Sequence, residues 1–155
     1  MTVQHPPSLY EWAGGVEAFE RLTKAFYERV RADDLVGPLF ANMPDDHPHH
    51  VPRWFAEVFG GPKVYNGGQG GHAHMISRHL GRGLTEAQRR CWVNLLLDCA
   101  DETGLPADPE FRSAFVAYIE WGTRLALDNS QPGTDPPREA PVPRWGWGEA
   151  PPYEG

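Results

Sequence analysis

The chain is poor in cysteine and in positive charge, and it has no long apolar run. Its 155 residues include two cysteines, Cys91 and Cys99. They lie eight apart in what reads as one helix, so their Cα atoms fall about 12 Å from each other, beyond disulfide reach. Residues 1 to 15 lack the basic start and apolar stretch of a signal peptide. Both features predict a cytoplasmic protein. Fourteen Lys and Arg stand against 21 Asp and Glu, a formal net charge of −7, which argues against nucleic acid as a partner because clustered positive charge supplies most of that affinity. No apolar run approaches the roughly 20 residues a bilayer crossing needs, so no membrane partner is expected. Period-two alternation flanked by turn signals is also missing, and without it the expected fold class is all-α.

What the chain has in excess is proline, histidine and tryptophan: 16, 7 and 6 residues. Prolines are absent from 8 to 37, from 63 to 105 and from 110 to 131, and helices belong in those gaps because an internal proline costs about 3 kcal/mol. Val16, Phe19, Leu22, Phe26 and Val30 form an amphipathic stripe that predicts a helix from about 16 to 31. Asp33-Asp34 can cap a short turn through Leu35 to Phe40. Pro48 and Pro52 disfavour a regular helix across 43 to 52, so the next helix is expected to begin near 49 to 52, with Gly60-Gly61-Pro62 ending it after Phe59. Thr85-Glu-Ala-Gln88 is a capping box for a helix to Thr103, with Trp92, Leu95, Leu96, Cys99 and Ala100 on its buried face. Asp108-Pro109 starts a last helix to about 128.

The composition changes after Ser130, where seven of the last 25 residues are proline. A domain over 1–130 and a Pro/Gly/Trp-rich tail over 131–155 follow. Trp145, Trp147 and Tyr153 carry more apolar area than a free tail is expected to expose. Packing back onto the domain is the first expectation, and docking on a partner the second.

Six of the seven histidines lie between 47 and 79: His47, His49, His50, His72, His74 and His79. Imidazole is the commonest protein metal ligand, yet neither Cys-x-x-Cys nor His-Glu-x-x-His accompanies them, so a protein-only zinc site has weak support. No Gly-x-Ser-x-Gly or Gly-Lys-Ser/Thr is present to suggest an acyl-transfer or phosphate-binding site. His79 stands in a short apolar piece, Met75-Ile76 before it and Leu80 after it, and taken alone it reads as a hydrogen-bonded core histidine.

Taken in order, Tyr10-Glu-Trp-Ala-Gly-Gly15, Phe26-Tyr27, Pro38-Leu-Phe40, Phe59-Gly-Gly-Pro62 with Tyr65, Gly71-His72, Ser77-Arg-His79 and Cys91-Trp92 resemble the truncated haemoglobins of the second group. These are two-over-two globins, and the resemblance covers roughly 8 to 129. The tail looks like an extension seen in actinobacterial relatives.

The resemblance implies an abbreviated globin around a b-type haem whose iron is bound by His79. It makes Tyr27 the distal tyrosine, Phe40 the aromatic residue packed on the haem, Trp92 the pocket tryptophan and Arg78 a partner for a haem propionate. Val51 and Trp54 would line the pocket from the distal helix; of His47, His49 and His50, either one would face it or all three line a solvated loop. The implied function is reversible binding of dioxygen and other diatomic ligands, with nitric oxide dioxygenation or peroxidase-like chemistry as possible reactions. A reductase would be the partner that keeps iron ferrous, and the protein would be a monomer or homodimer. A tyrosine hydroxyl can donate or accept while an indole N–H only donates, so Tyr27 and Trp92 together would favour a partly anionic ligand. From a different class, a haem-free helical interaction module with an aromatic docking tail also fits the composition.

Overall fold

The periodic stripes and capping residues form the helices they predict. The structure, a computed structural model, describes residues 6–40, 47–62, 83–133 and 143–152, with backbone alone at 39–40 and 47–50. Helix α1 spans Leu9–Ala13; the Ser8 hydroxyl caps it by accepting from the Glu11 amide at 3.1 Å, and Gly14 ends it at φ 110°. Five residues are too few to show a helical period, so this turn has no counterpart in the sequence reading. Helix α2 spans Val16–Ala32. Beyond it Asp33 Oδ1 accepts from the amides of Leu35 and Val36 at 2.8 and 3.0 Å. That turn leads into a 3-10 segment at Gly37–Phe40.

Helix α3 spans His47–Val58 and contains Pro52. It begins earlier than the 49 to 52 start expected from the prolines. Pro48 falls in the first turn, where its missing N–H is one of four that lack an intrahelical acceptor anyway. Only Pro52 subtracts a helical hydrogen bond. The glycine stop is found where expected: Gly61 donates to the Ala56 carbonyl at 2.7 Å, and Gly60 stands at φ 98°. The glycine-rich connector from 63 to 71 lies outside the described residues, as do Arg78 and His79.

Helix α4, Glu86–Glu102, starts in a complete capping box between Thr85 and Gln88. Helix α5, Pro109–Asn129, starts with Asp108 accepting from the Phe111 amide at 2.9 Å and proline at the first helical position. The described residues contain no strand. Helix α2 packs on both α3 and α4, and α4 packs on α5, so two helix pairs lie one over the other. On α4 the buried face is Val93, Leu96, Cys99 and Ala100, with Trp92 and Leu95 half-buried beside it.

Aromatic rings join the two pairs. Phe59, 1% exposed, stands 5.6 Å from Phe19, 5.8 Å from Phe115 and 5.2 Å from Tyr118 between ring centroids. Truncating so enclosed a phenylalanine to alanine costs about 3–5 kcal/mol. The tail packs back on this body. Trp147 meets Trp12 edge-on at 5.6 Å, and Trp145 meets Tyr118 at 5.5 Å.

Candidate functional site

Helix α2 supplies the first polar group. Phe26 and Tyr27 are 4% and 5% exposed, their rings in edge contact at 5.5 Å. Adjacent residues on a helix diverge by about 100°, so burial of both means that α2 is covered on more than its core stripe. Burial pushes the Tyr27 hydroxyl well above the ordinary tyrosine value, and the positive charge of Arg31 one turn on offsets only part of that. The hydroxyl is therefore a neutral donor throughout the physiological range.

Helix α4 supplies the second. Trp92 is half-buried against the core. Its neighbour Cys91 directs its thiol at Asp33 Oδ1, 3.5 Å away, where α4 begins beside the end of α2. Burial, with Asp33 adding to it, pushes the Cys91 thiol up. Two backbone hydrogen bonds, from Val36 and then Leu35, hold the Asp33 carboxyl down. An ion pair between Arg29 and Glu102 joins the same two helices further along. The structure thus brings the helices of Tyr27 and Trp92 together.

Helix α3 contributes Val51, half-buried on the core, and Trp54, 3% exposed. The Trp54 indole Nε1 donates to the Tyr118 hydroxyl on α5 at 2.7 Å. That donor is directed at α5, so what Trp54 offers a pocket is apolar ring surface. Phe40 ends the 3-10 segment and His47, His49 and His50 form the first turn of α3; their side chains are outside the described set.

Two buried groups were not singled out from sequence. Tyr118 is 5% exposed on α5, and no local motif in the sequence marks it. Arg89, 3% exposed, reaches Glu86 at 2.6 Å, Glu120 at 3.2 Å and Thr123 at 3.3 Å. A capping box followed by arginine three residues after glutamate was the local signal for the first contact. Glu120 lies on another helix, and nothing local pointed to it. This network ties α4 to α5.

A neutral buried hydroxyl and a half-buried indole, on helices that share one apolar core with Phe26, Val51 and Trp54, suit a flat apolar prosthetic group carrying a small, weakly polar ligand. The donor set fits haem.

The architecture is that of a two-over-two helical globin. It superposes on the group II truncated haemoglobin from Bacillus anthracis with a TM-score of 0.72 at 21% identity, covering 80% of this chain and 93% of that one. The truncated oxygen-avid haemoglobin from Bacillus subtilis superposes with a TM-score of 0.68 at 26% identity, over 78% of this chain and 99% of that one. In sequence the chain is 28% identical over 117 residues to the group 2 truncated haemoglobin YjbI of Bacillus subtilis, 76% of this chain and 86% of that protein. The profile of the bacterial-like globin family matches residues 8–120, and the chain belongs to that family. Haem is accordingly its cofactor, and dioxygen is among its ligands. No helix among the described residues is long and apolar enough to cross a membrane.

Proposed function

We propose that this protein holds a b-type haem through His79 and binds dioxygen reversibly on the side lined by Tyr27 and Trp92. The observation that carries this reading is Tyr27: a tyrosine 5% exposed in the C-terminal half of α2, its hydroxyl kept protonated by its surroundings, on a helix packed against the one that bears Trp92. Haem iron bound by one imidazole supplies an open position for a diatomic ligand. The chain's residues do the rest. Tyr27 and Trp92 donate hydrogen bonds toward a ligand that draws negative charge, and fixed donors in a dry pocket strengthen such binding. Phe40, Val51 and the Trp54 ring would pack against the haem, and Arg78 would pair with a propionate. One of His47, His49 and His50 would face the ligand side.

Two donors slow ligand release, which suits redox chemistry or sensing better than delivery. Oxidation of nitric oxide by dioxygen, or peroxidase-like chemistry, fits such a pocket, with a reductase as the partner that returns iron to the ferrous state. The two thiols Cys91 and Cys99 are free, in keeping with a cytoplasmic location, and the unit would be a monomer or a homodimer.

Absorption of the purified protein tests the reading. A strong Soret band that is lost in His79→Ala is the expected result. A protein that shows no band after haem reconstitution would overturn it.

A further inference from the structure

The C-terminal end of α3 is gripped by two stretches of chain far apart in sequence. From the N-terminal side, the Tyr10 amide donates to the Phe59 carbonyl at 2.9 Å. Gly61 lies so close to Tyr10 that a Cβ there would sit 2.8 Å from the ring. From the tail, the Trp145 amide donates to the Val58 carbonyl at 2.7 Å. Val58 is the last residue of α3, and a helix leaves its last four carbonyls without intrahelical donors. The tail supplies one of those missing donors.

The two stretches also hold each other. Trp147 Nε1 donates to the Pro7 carbonyl at 2.7 Å while its ring meets Trp12. From that anchorage the Trp145 ring reaches Tyr118 at 5.5 Å and Trp121 at 5.7 Å. Tyr118 is the acceptor of the Trp54 indole proton. Trp145 therefore acts on α3 twice, directly at its terminal carbonyl and through Tyr118 at Trp54, three residues beyond Val51.

Helix α3 needs such support. It has 12 residues with Pro52 inside, and helices shorter than about 12–15 residues are marginal without tertiary contacts. The proline-rich composition of the tail restricts its unfolded conformations, so docking it costs less entropy than docking an ordinary tail.

We propose that Pro143–Gly148 is a positioning strap for the distal helix: through Trp145 it fixes α3, and so sets how closely Val51 and Trp54 shut the ligand side of the haem. The inference rests on the reading of α3 as a pocket wall. Trp145 touches neither haem nor ligand; it acts through α3 and Tyr118.

The test uses the full-length haem protein with Trp145→Phe, Trp145→Ala and Trp145→Pro. The phenylalanine keeps a ring and the amide donor, the alanine keeps the donor alone, and the proline removes both. Trp147→Phe, which removes only the donor to Pro7, is the mild variant should the others fold poorly. Expected for Trp145→Ala is dioxygen release faster by at least roughly threefold, a shifted or broadened C–O stretch in the carbon monoxide complex, and faster amide exchange at residues 55–59 than in α4. Trp145→Pro exceeds it and Trp145→Phe stays close to the parent. The ferrous Soret spectrum, which reports the proximal side, is unchanged. A lowered melting temperature with release rate, C–O stretch and α3 exchange all at parental values would make the tail a stabiliser only and overturn the proposal. Should the parent protein take up no haem, the functional reading fails, and the strap is judged separately in the haem-free chain. There, Trp145→Pro must speed exchange in α3 over α4, and equal exchange in both helices overturns it.

Discussion

The indole nitrogen of Trp54 and the hydroxyl of Tyr118 meet at 2.7 Å in a buried contact between α3 and α5, 64 residues apart in sequence. Phe55 and Phe59 meet the same tyrosine ring edge-on at 6.3 and 5.2 Å. One side chain of α5 thereby fixes both the rotation and the depth of α3. Tyr118→Phe keeps the ring and removes the acceptor, and loss of a buried hydrogen bond of this kind is expected to cost about 1–3 kcal/mol. Urea unfolding measures it. A midpoint equal to that of the parent would show that the hydroxyl contributes nothing.

The proposed ligand-side donors give a kinetic prediction. Tyr27→Phe and Trp92→Phe should each accelerate dioxygen release roughly 10- to 100-fold, the equivalent of one hydrogen bond to a partly charged acceptor. Because burial raises the Tyr27 hydroxyl above the ordinary value of 10.0, release in the parent should stay flat with pH up to about pH 10, where an exposed tyrosine would begin to ionise. Stopped-flow displacement across that range checks both. Rates unchanged by either substitution would show that these residues only pack.

Acid stability should depend on Glu86. Its hydrogen bond from Arg89 holds the carboxyl down at about 2 against an ordinary 4.5, with further help from Arg90. A carboxyl lowered on folding stabilises the protein fully above its unfolded value, and that contribution disappears as pH falls through the folded one. Glu86→Gln should therefore melt below the parent at neutral pH, with the gap closing between about pH 4.5 and pH 2. A gap that is constant across the series would mean that Arg89 does not depend on the charge of Glu86.

Two glycines should behave oppositely. A Cβ at Gly61 would fall 2.7 Å from the Ala56 carbonyl oxygen and 2.8 Å from Tyr10 Cδ2. Backbone on one side and a ring on the other leave little to move, so Gly61→Ala should cost about 1–3 kcal/mol. Gly146 has nothing within 4 Å of the same position, and Gly146→Ala should change stability by less than about 0.5 kcal/mol. Thermal unfolding of the pair separates close approach from mere presence in a loop.

Much of the fold was legible because its signals are local. The stripe from Val16 to Val30, the Thr85–Gln88 capping box and the Asp108-Pro109 start act within one or two helical turns, and each marks the helix found there. The start of α3 was misplaced because Pro48 is unfavourable in a helix interior and harmless in a first turn. Where a turn begins depends on what precedes it. Helix α1 was invisible for the opposite reason: a single turn has no period, and Ser8 and Gly14 mark its ends only once the chain around them is in place.

Of the site, the sequence by itself determined the residue types, Tyr27 beside Phe26 and Trp92 beside Cys91, and the family order that gives them meaning. It also determined that a tail rich in proline and tryptophan would follow the helices. Only the tertiary structure decided that Trp54 directs its donor at Tyr118, that Arg89 bridges Glu86 to Glu120, and that Trp145 and Trp147 close over α3 and Pro7. Each of those contacts joins separate elements that lie far apart in sequence. Helical period and capping act over a few residues, whereas these pairings exist only after apolar burial has set one helix against another.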